Sequence, residues 1–461
     1  MNYNELDLRI GIEIHQELAG SKLFCSCNTD LTEEHETSTI KRKMRTQAGE
    51  TGEIDVASSF EKQRDRTFIY HAYKQEACLV DTDSEPIHTI NHHALDMALS
   101  LATLLKLHIP STLCVMRKTV SDGSAISGFQ RTTIMGLGDN NSLLDVPTGN
   151  VRIKDMFLEE EACKIISKTN HTVHYSLSRL GIPLIELSTM PDITTPEHAK
   201  ETALHIGMIL RSFPLTKRGI GTIRQDVNVS IKGGDRVEIK GFQDVKMMPK
   251  VIDYEIKRQL TILKNGKKVP SEVRKFNSDG TTSFLRPMPG AARLYPETDH
   301  PFIHITPDRL RHITTPTLLT KQIQQLEQKY ALSPTHARAV INHPFFASCV
   351  KRFSIRPSVI AHILIEIPKD ITTRHNINTK NLTENDFHIV LGALEKKSIP
   401  QSAANDILMK IAQGKPVKLA DYNTVSTSTL EKDINEIMKK NTGAPFNALM
   451  GEVMKKYKGN V

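Results

Sequence analysis

No apolar run in the 461 residues approaches the roughly 20 positions that a membrane-spanning helix needs. The opening Met1-Asn-Tyr-Asn-Glu-Leu-Asp7 lacks the basic start and apolar stretch of a secretory signal. These absences point away from membrane-embedded and exported classes and predict a soluble, cytoplasmic protein. Cysteine is sparse: Cys25, Cys27, Cys78, Cys114, Cys163 and Cys349, with only the first two close together. A reducing cytosol argues against disulfides. With no second close pair, a Zn²⁺ site would have to draw on Cys25, Cys27 and Cys78 with a nearby histidine as fourth ligand, and ordinary buried or loop thiols are the alternative. No glycine-rich segment ends in Gly-Lys-Ser/Thr at P-loop spacing, so a bound nucleoside triphosphate must be held by metal and arginines. Internal repeats and low-complexity tracts are also lacking.

What is present begins with charge. Sixty Lys and Arg against 52 Asp and Glu give a net charge of +8 and a pI near 9.0, an excess that suits a polyanionic partner. The length accommodates two to four domains. Through the first two thirds, strands, glycine turns and a few helices alternate without the regular order of a doubly wound sheet, which predicts an α+β fold. Leu6, Leu8, Ile10, Ile12 and Ile14 mark one face of a first strand. Asn91 reads as the cap of a helix carrying Leu95, Ala98, Leu99, Ala102 and Leu105, and a second helix starts near Thr194 with Pro196 in its first turn and Glu197 placed for a capping box. Beyond Pro316 the segments 317–331, 333–350, 356–367, 382–397, 400–413 and 427–439 read as short amphipathic helices. Domains are therefore expected at 1–315, 316–398 and 399–461.

The most informative stretch is Gly221–Gly241. Ile223, Val227, Val229 and Ile231 alternate with Arg224, Asp226, Asn228 and Ser230, and Val237 and Ile239 alternate with Arg236, Glu238 and Lys240, the period-2 pattern of two half-buried strands. A three-residue loop at Gly233–Asp235 would set Ser230 opposite Glu238 and Asn228 opposite Lys240. Such a face could simply be solvated, yet Arg, Asp, Asn and Ser together are groups that bind phosphate, metal and ribose. In the first strand the polar face reads Asp7, Arg9, Gly11, Glu13, His15 and Glu17, with Glu13 and His15 within reach of one ion. Of Glu159, Glu160 and Glu161, an extended chain sends Glu160 to the side opposite the other two. Glu186 interrupts the apolar run Ile182–Leu187, and a carboxylate there needs a cation, either Arg179 or a divalent metal. Oxygen-rich ligation with one imidazole fits Mg²⁺ or Mn²⁺ better than zinc. Arg117, Lys118, Asp122, Ser127 and Arg131 form one anion-binding segment, and Arg286, Arg293, Tyr295, Glu297 and Asp299 a second, proline-stiffened one.

In order along the chain, Gly11–Leu18, Lys22–Cys25, Met116–Lys118, Asp122–Arg131, Arg179–Asp192, Gly219–Lys240 and Arg286–Asp299 resemble the B/E family of tRNA-dependent amidotransferases, in its archaeal glutamyl-tRNA(Gln) E-type form. The resemblance implies a glutamine-synthetase-like α+β cradle followed by an all-α helical domain and a short helical tail. It implies ATP- and Mg²⁺-dependent phosphorylation of glutamate carried on tRNA(Gln), then amidation by ammonia from an asparaginase-like partner, the D-type subunit, in a heterotetramer. By matching motifs, Glu13, His15, Glu159, Glu160 and Glu186 would form the metal and catalytic cluster. Arg224, Asp226, Glu238 and Lys240 would complete the catalytic cleft, with Arg117, Lys118, Ser127, Arg131, Asn228, Ser230, Arg293, Tyr295 and Glu297 around the nucleotide.

Departures from the family pattern concern mostly RNA-facing parts. Only a short segment around Lys264–Lys268 stands where an inserted domain shared with aspartyl-tRNA synthetases is usual, and the last tail motif is short. Ala125 and Ile126 replace polar residues of the Asp-Gly-Ser-Asn-Thr pattern, and Ser178 replaces an expected Asp. Three other readings compete: a B-type enzyme of the same family acting on Asp- or Glu-tRNA, a non-catalytic tRNA-binding relative, and a ligase for free glutamate. The last has no use for the basic C-terminal clusters at Lys439-Lys440 and Lys455–Lys458.

Overall fold

The computed structural model describes residues 1–45, 52–288, 290, 294–422, 427–441 and 443–456. The chain divides into two compact units, Met1–Thr317 and Leu318–Val461. In the first, strands and helices mix in the α+β manner. In chain order its strands are β1 (Arg9–Glu17), β2 (Glu36–Arg42), β3 (Thr67–Tyr73), β4 (Thr112–Leu113), β5 (Met116–Thr119) and β6 (Phe129–Leu137). Then come β7 (Leu143–Leu144), β8 (Val151–Glu160), β9 (Lys164–Lys168), β10 (Thr172–Ser176), β11 (Pro183–Thr189) and β12 (Ile223–Ser230). The last are β13 (Val237–Phe242), β14 (Glu272–Phe276), β15 (Thr282–Pro287), β16 (Leu294–Pro296) and β17 (Ile303–His304). Its helices are α1 (Val56–Gln63), α2 (His92–Leu104), α3 (Pro196–Leu210), α4 (Met248–Lys264) and α5 (Pro307–His312).

An 11-stranded sheet runs β15-β14-β13-β12-β1-β11-β8-β6-β5-β16, with β7 on β8. β1 lies inside it, antiparallel to both β11 and β12. Leu8, Ile10, Ile12 and Ile14 are buried on one face of this strand, each contributing about 1.5–3 kcal/mol of burial relative to exposure. The alternate residues therefore face the other way, in the interior of the sheet with four strands on one side of β1 and five on the other along that order. On the buried side α3 packs against β1 and against α4. A separate four-stranded sheet, β2-β3-β10-β9, packs Phe68, Tyr70, Val173 and Tyr175 into a core with Ala125, Ile126 and Leu177. Ala125 and Ile126, where the family pattern is polar, thus serve this core.

Local signals place the helices. Asn91 caps α2, accepting from the backbone N–H groups of His93 and Ala94. The cap of α3 is Thr195, accepting from His198 N–H, one residue beyond the Thr194 start read from the sequence. Pro196 at the first position suits that register, since its fixed φ and missing N–H cost nothing there. The hairpin corrects a second expectation. Six residues, 231–236, separate β12 from β13, so Asn228 faces Glu238 and Val229 faces Val237. Ile231 stays buried instead of joining the strand pair, and the Lys232 N–H donates to Leu6 O, which widens the loop. The shift is two positions, so every polar residue keeps its face.

The second unit is helical: α6 (Leu319–Tyr330), α7 (Pro334–Val340), α8 (Phe346–Arg352), α9 (Pro357–Ala361), α10 (Ile367–His375), α11 (Glu384–Glu395), α12 (Ala403–Ala412), α13 (Thr427–Lys440) and α14 (Phe446–Lys456). The helix expected over 333–350 is broken in two around Pro344, where the preceding residue is pushed from helical backbone. The one expected over 356–367 instead continues through a π turn at His362–Glu366 into α10.

Candidate active site

Four strands, β1, β11, β12 and β13, present their polar faces to one side. In register, Asp226 lies opposite Glu13, Glu186 opposite His15 and Glu238 opposite Asn228. Carboxylate oxygens of Glu13, Asp226 and Glu238 come within 4.8 Å of one another. Lys240 Nζ lies between two of them, 2.7 Å from Asp226 Oδ2 and 2.5 Å from Glu238 Oε1. Asn228 Nδ2 donates to Glu13 Oε1 at 3.0 Å, while its own Oδ1 is buried without a hydrogen-bond partner. Burial raises the Glu13 carboxyl, and the charges of Glu238 and Glu186 push it the same way. Burial would raise Asp226 as well, but the Lys240 ammonium outweighs it and holds that carboxyl low.

Beside this group sits a second. His15 Nε2 is 3.4 Å from Glu186 Oε2. Glu159 accepts from Gln130 Nε2 at 2.9 Å and has Lys118 Nζ at 3.7 Å. Glu159 and Glu186 are also hydrogen-bonded neighbours: burial and the Glu186 charge raise Glu159, whereas His15 and Lys118 overcome burial and lower Glu186. Burial opposes the charged imidazole of His15, yet its bond to Glu186 raises it. The partner of Glu186 is His15 and not Arg179, whose guanidinium donates to the carbonyls of Ala162 and Cys163.

Glu160 belongs elsewhere. It meets Arg131, whose Nη1 is 3.3 Å away and whose N–H donates at 3.1 Å, and Arg131 Nε donates to Glu297 Oε2 at 2.7 Å. Arg117 also donates to Glu297, and both guanidinium groups lie over the Phe129 ring. Burial would raise Glu297, but the two arginines hold it down at about 2. Tyr295, on edge strand β16 opposite Arg117, is exposed. The Ser127 hydroxyl donates to Phe129 O, and Ser230 ends β12 opposite Arg9. Arg293 lies outside the described residues.

Sequence reasoning missed two participants. Arg224 pairs with Glu161, and Glu17 stands 3.6 Å from Arg224 Nη1. Glu17 was visible on the polar face of β1. Glu161 was hidden, because β8 ends at Glu160 and the next N–H turns to Ile182 O. The thiols form a further group: ligand atoms of Cys25, Cys27, Cys78 and Asp81 lie within 4.8 Å of one another. Asp81 thus stands where a histidine was expected. It also accepts from Lys22 Nζ at 3.0 Å and from the Cys78 N–H at 3.0 Å. Its Cys-x-x-Asp spacing was the available signal.

Residues 8–311 match the family model described as the GatB/GatE catalytic domain. The chain is similar to the E subunit of the glutamyl-tRNA(Gln) amidotransferase of Archaeoglobus fulgidus, 31% identical over 604 residues that cover 100% of this chain and 97% of the relative. The same protein of Saccharolobus solfataricus is 31% identical, covering 100% and 96%, and that of Methanococcus maripaludis 29%, covering 100% and 96%. A match over 604 positions against a chain of 461 leaves at least 143 positions of the Archaeoglobus protein without a counterpart. In this chain α4 and β14 are joined directly by residues 265–271.

Proposed function

Because this chain belongs to the GatB/GatE family, as an E-type member of the tRNA-dependent amidotransferases, we propose that it activates glutamate esterified to tRNA(Gln) and converts it to glutamine. In the first step a side-chain carboxylate oxygen of the glutamate attacks the γ-phosphorus of ATP, and the bond to the β,γ-bridging oxygen breaks. In the second, ammonia adds to the acyl carbon and inorganic phosphate leaves, its surplus proton passing to solvent or a basic side chain. Ammonia comes from an asparaginase-like partner in a heterotetramer.

The observation that carries this reading is the convergence of Glu13, Asp226 and Glu238, whose carboxylate oxygens lie within 4.8 Å of one another beside Asn228, which donates to Glu13 through Nδ2 and has Oδ1 unpaired. Such an oxygen-rich set fits Mg²⁺, which when bound there would neutralise the triphosphate. The protein's own cations do the remaining electrostatic work. Lys240 and Lys118, each anchored by buried carboxylates, present fixed positive charge to the transferring phosphoryl group without reorganising during the step. His15, fixed by Glu186, offers a donor to phosphate oxygens on the same face, and Glu159 lines that face beside Lys118. Arg224, held by Glu161, borders this face and shields the acyl phosphate from water.

Arg117, Arg131, Tyr295 and Glu297 form the wall on the β16 side, with Ser127 in the adjoining segment; Arg293, outside the described residues, belongs in sequence to the same proline-stiffened stretch as Tyr295. Residues 316–398 and 399–461 are read as the helical and tail parts that grip tRNA through basic clusters such as Lys439-Lys440. Cys25, Cys27 and Cys78 with Asp81 make a structural Zn²⁺ site: three thiols and a carboxylate suit tetrahedral zinc. Among the described residues no helix is long and apolar enough to cross a membrane. A cytoplasmic location follows from the proposed role in supplying correctly charged tRNA to translation. The test is conversion of Glu-tRNA(Gln) to Gln-tRNA(Gln) by the purified chain with ATP, Mg²⁺ and an ammonium salt. Amidation of free glutamate in place of the tRNA-bound residue would overturn the reading.

A further inference from the structure

The segment Lys217–Thr222, between α3 and β12, contains two glycines at positive φ, Gly219 at +122° and Gly221 at +88°, with nothing within 4 Å of the position a side-chain carbon would take. Their role is conformational, and the residue they hold out is Ile220, 97% exposed. A lone exposed isoleucine says little by itself. Its surroundings say more. Arg211 and Arg218 lie alongside, and neither is in an ion pair with a carboxylate among the described residues; Arg211 Nε donates to Gly207 O and Arg218 Nη2 to Arg211 O, both at 3.0 Å. The adjoining cavity of about 310 Å³ is lined by Leu204, Arg211, Arg218, Gly219 and Gln225, with Leu204 42% exposed. Gln225 is 3% exposed, yet its Oε1 has no hydrogen-bond partner.

The surface thus offers an apolar knob and two guanidinium groups without an ion-pair partner among the described residues. An acidic protein segment with an apolar socket complements both. RNA would answer only the arginines, and no aromatic ring lines this cavity to stack a base.

The loop is also tied to the polar face of the sheet. Glu17 N–H donates to Thr222 O and Lys217 N–H to Glu17 O, both at 2.9 Å. Arg224 Nη1 donates to Gly221 O at 3.1 Å. Gln16 Nε2 donates to the carbonyls of Lys217 and Thr222 at 3.1 and 3.2 Å. A protein seated on Ile220 would therefore lie against the backbone next to Arg224 and Glu17, which keep Glu161 and Lys217 as partners without it.

We propose that Ile220, Arg211 and Arg218 form the docking point for an acidic surface of the ammonia-supplying partner. This rests on the amidotransferase reading above. The experiment uses the full chain and its co-produced partner, comparing wild type with Ile220→Asp and with Arg211→Glu/Arg218→Glu. Affinity is read by sedimentation, and Gln-tRNA(Gln) formation is read with either an amide donor or an ammonium salt. Each variant should bind the partner at least about thirtyfold more weakly and lose amide-dependent turnover, while ammonium-dependent turnover stays within about twofold of wild type, since an exposed knob outside the cleft is removed. Unchanged affinity, or loss of tRNA binding with partner binding retained, would overturn the proposal and in the second case assign the surface to RNA. Failure of wild type to use ammonium would sink the catalytic reading and leave the affinity comparison to decide the docking point by itself.

Discussion

Two buried charge clusters in the first unit are built from the same residue types and are satisfied in opposite ways. In one, Arg117 and Arg131 close on Glu297 and Glu160, so that each carboxylate meets a guanidinium. In the other, Asp226 and Glu238 share a single lysine, Glu13 has only the Asn228 amide, and Asn228 Oδ1 is left unpaired. The first set matches charge for charge, although Arg117 Nε is buried without a partner just as Asn228 Oδ1 is. The second is acid-rich and carries a burial cost that a bound cation would relieve, the usual relation between a functional site and the fold that carries it. The difference teaches that residue type alone does not separate the two clusters, whereas the balance of charge does.

The largest effect that would sharpen this contrast is at Glu186. Replacing it with Gln removes the negative charge that fixes His15, and phosphate release should fall by about a thousandfold or more, while tRNA binding persists. Equal loss of both in a folded variant would contradict the assigned role. Next comes Glu297→Ala in the charge-matched cluster. Removing the buried carboxylate that Arg117 and Arg131 share, with Arg131 keeping only Glu160, should cost about 3–5 kcal/mol, seen as a lower midpoint in chemical denaturation. An unchanged midpoint would mean the network is not a structural wall.

The opposite sign is expected in the acid-rich cluster. Glu13→Gln removes a carboxylate that burial and its neighbours disfavour, so the ligand-free protein should gain about 1 kcal/mol. Mg²⁺ should raise the melting temperature of wild type but not of this variant. A destabilised Glu13→Gln protein would break the comparison. The smallest effect is in pH. Glu297, held at about 2 when folded, stabilises fully above its ordinary carboxylate range, and that contribution is lost as pH falls toward its folded value. Glu13 is raised, so the folded state binds its proton more tightly and its ionisation costs stability as pH climbs through and above the ordinary range. Acid unfolding of Glu297→Gln should therefore lose part of its slope at low pH, whereas Glu13→Gln should flatten the curve at higher pH.

Much of this site was legible in the sequence because strands repeat every two residues. Glu13 and His15, and Asp226 with Asn228 and Glu238, could be assigned to one polar face before any pairing was known. A wrong pairing register between β12 and β13 did no harm to that assignment, since the shift was two positions. Partners across the sheet were not legible. That Glu186 meets His15 follows from β11 lying next to β1, a neighbour relation no local pattern contains, and nearby Arg179 was the natural but wrong candidate for that role. The three glutamates at the end of β8 separate into three networks, Glu159 to Lys118, Glu160 to Arg131 and Glu161 to Arg224, because the strand stops between the second and third. The helix cap at Asn91 and the first-turn Pro196 were readable from local chemistry, while the break at Pro344 shows that amphipathic spacing alone does not override a proline.

The most direct test follows phosphate release from ATP by the purified chain with Mg²⁺ and Glu-tRNA(Gln), in wild type and in Glu13→Gln at matched protein stability. The account predicts release by wild type that depends on the charged tRNA and its near-complete loss in the variant. Comparable release by both proteins would place phosphoryl transfer away from the acid-rich cluster and contradict the central claim.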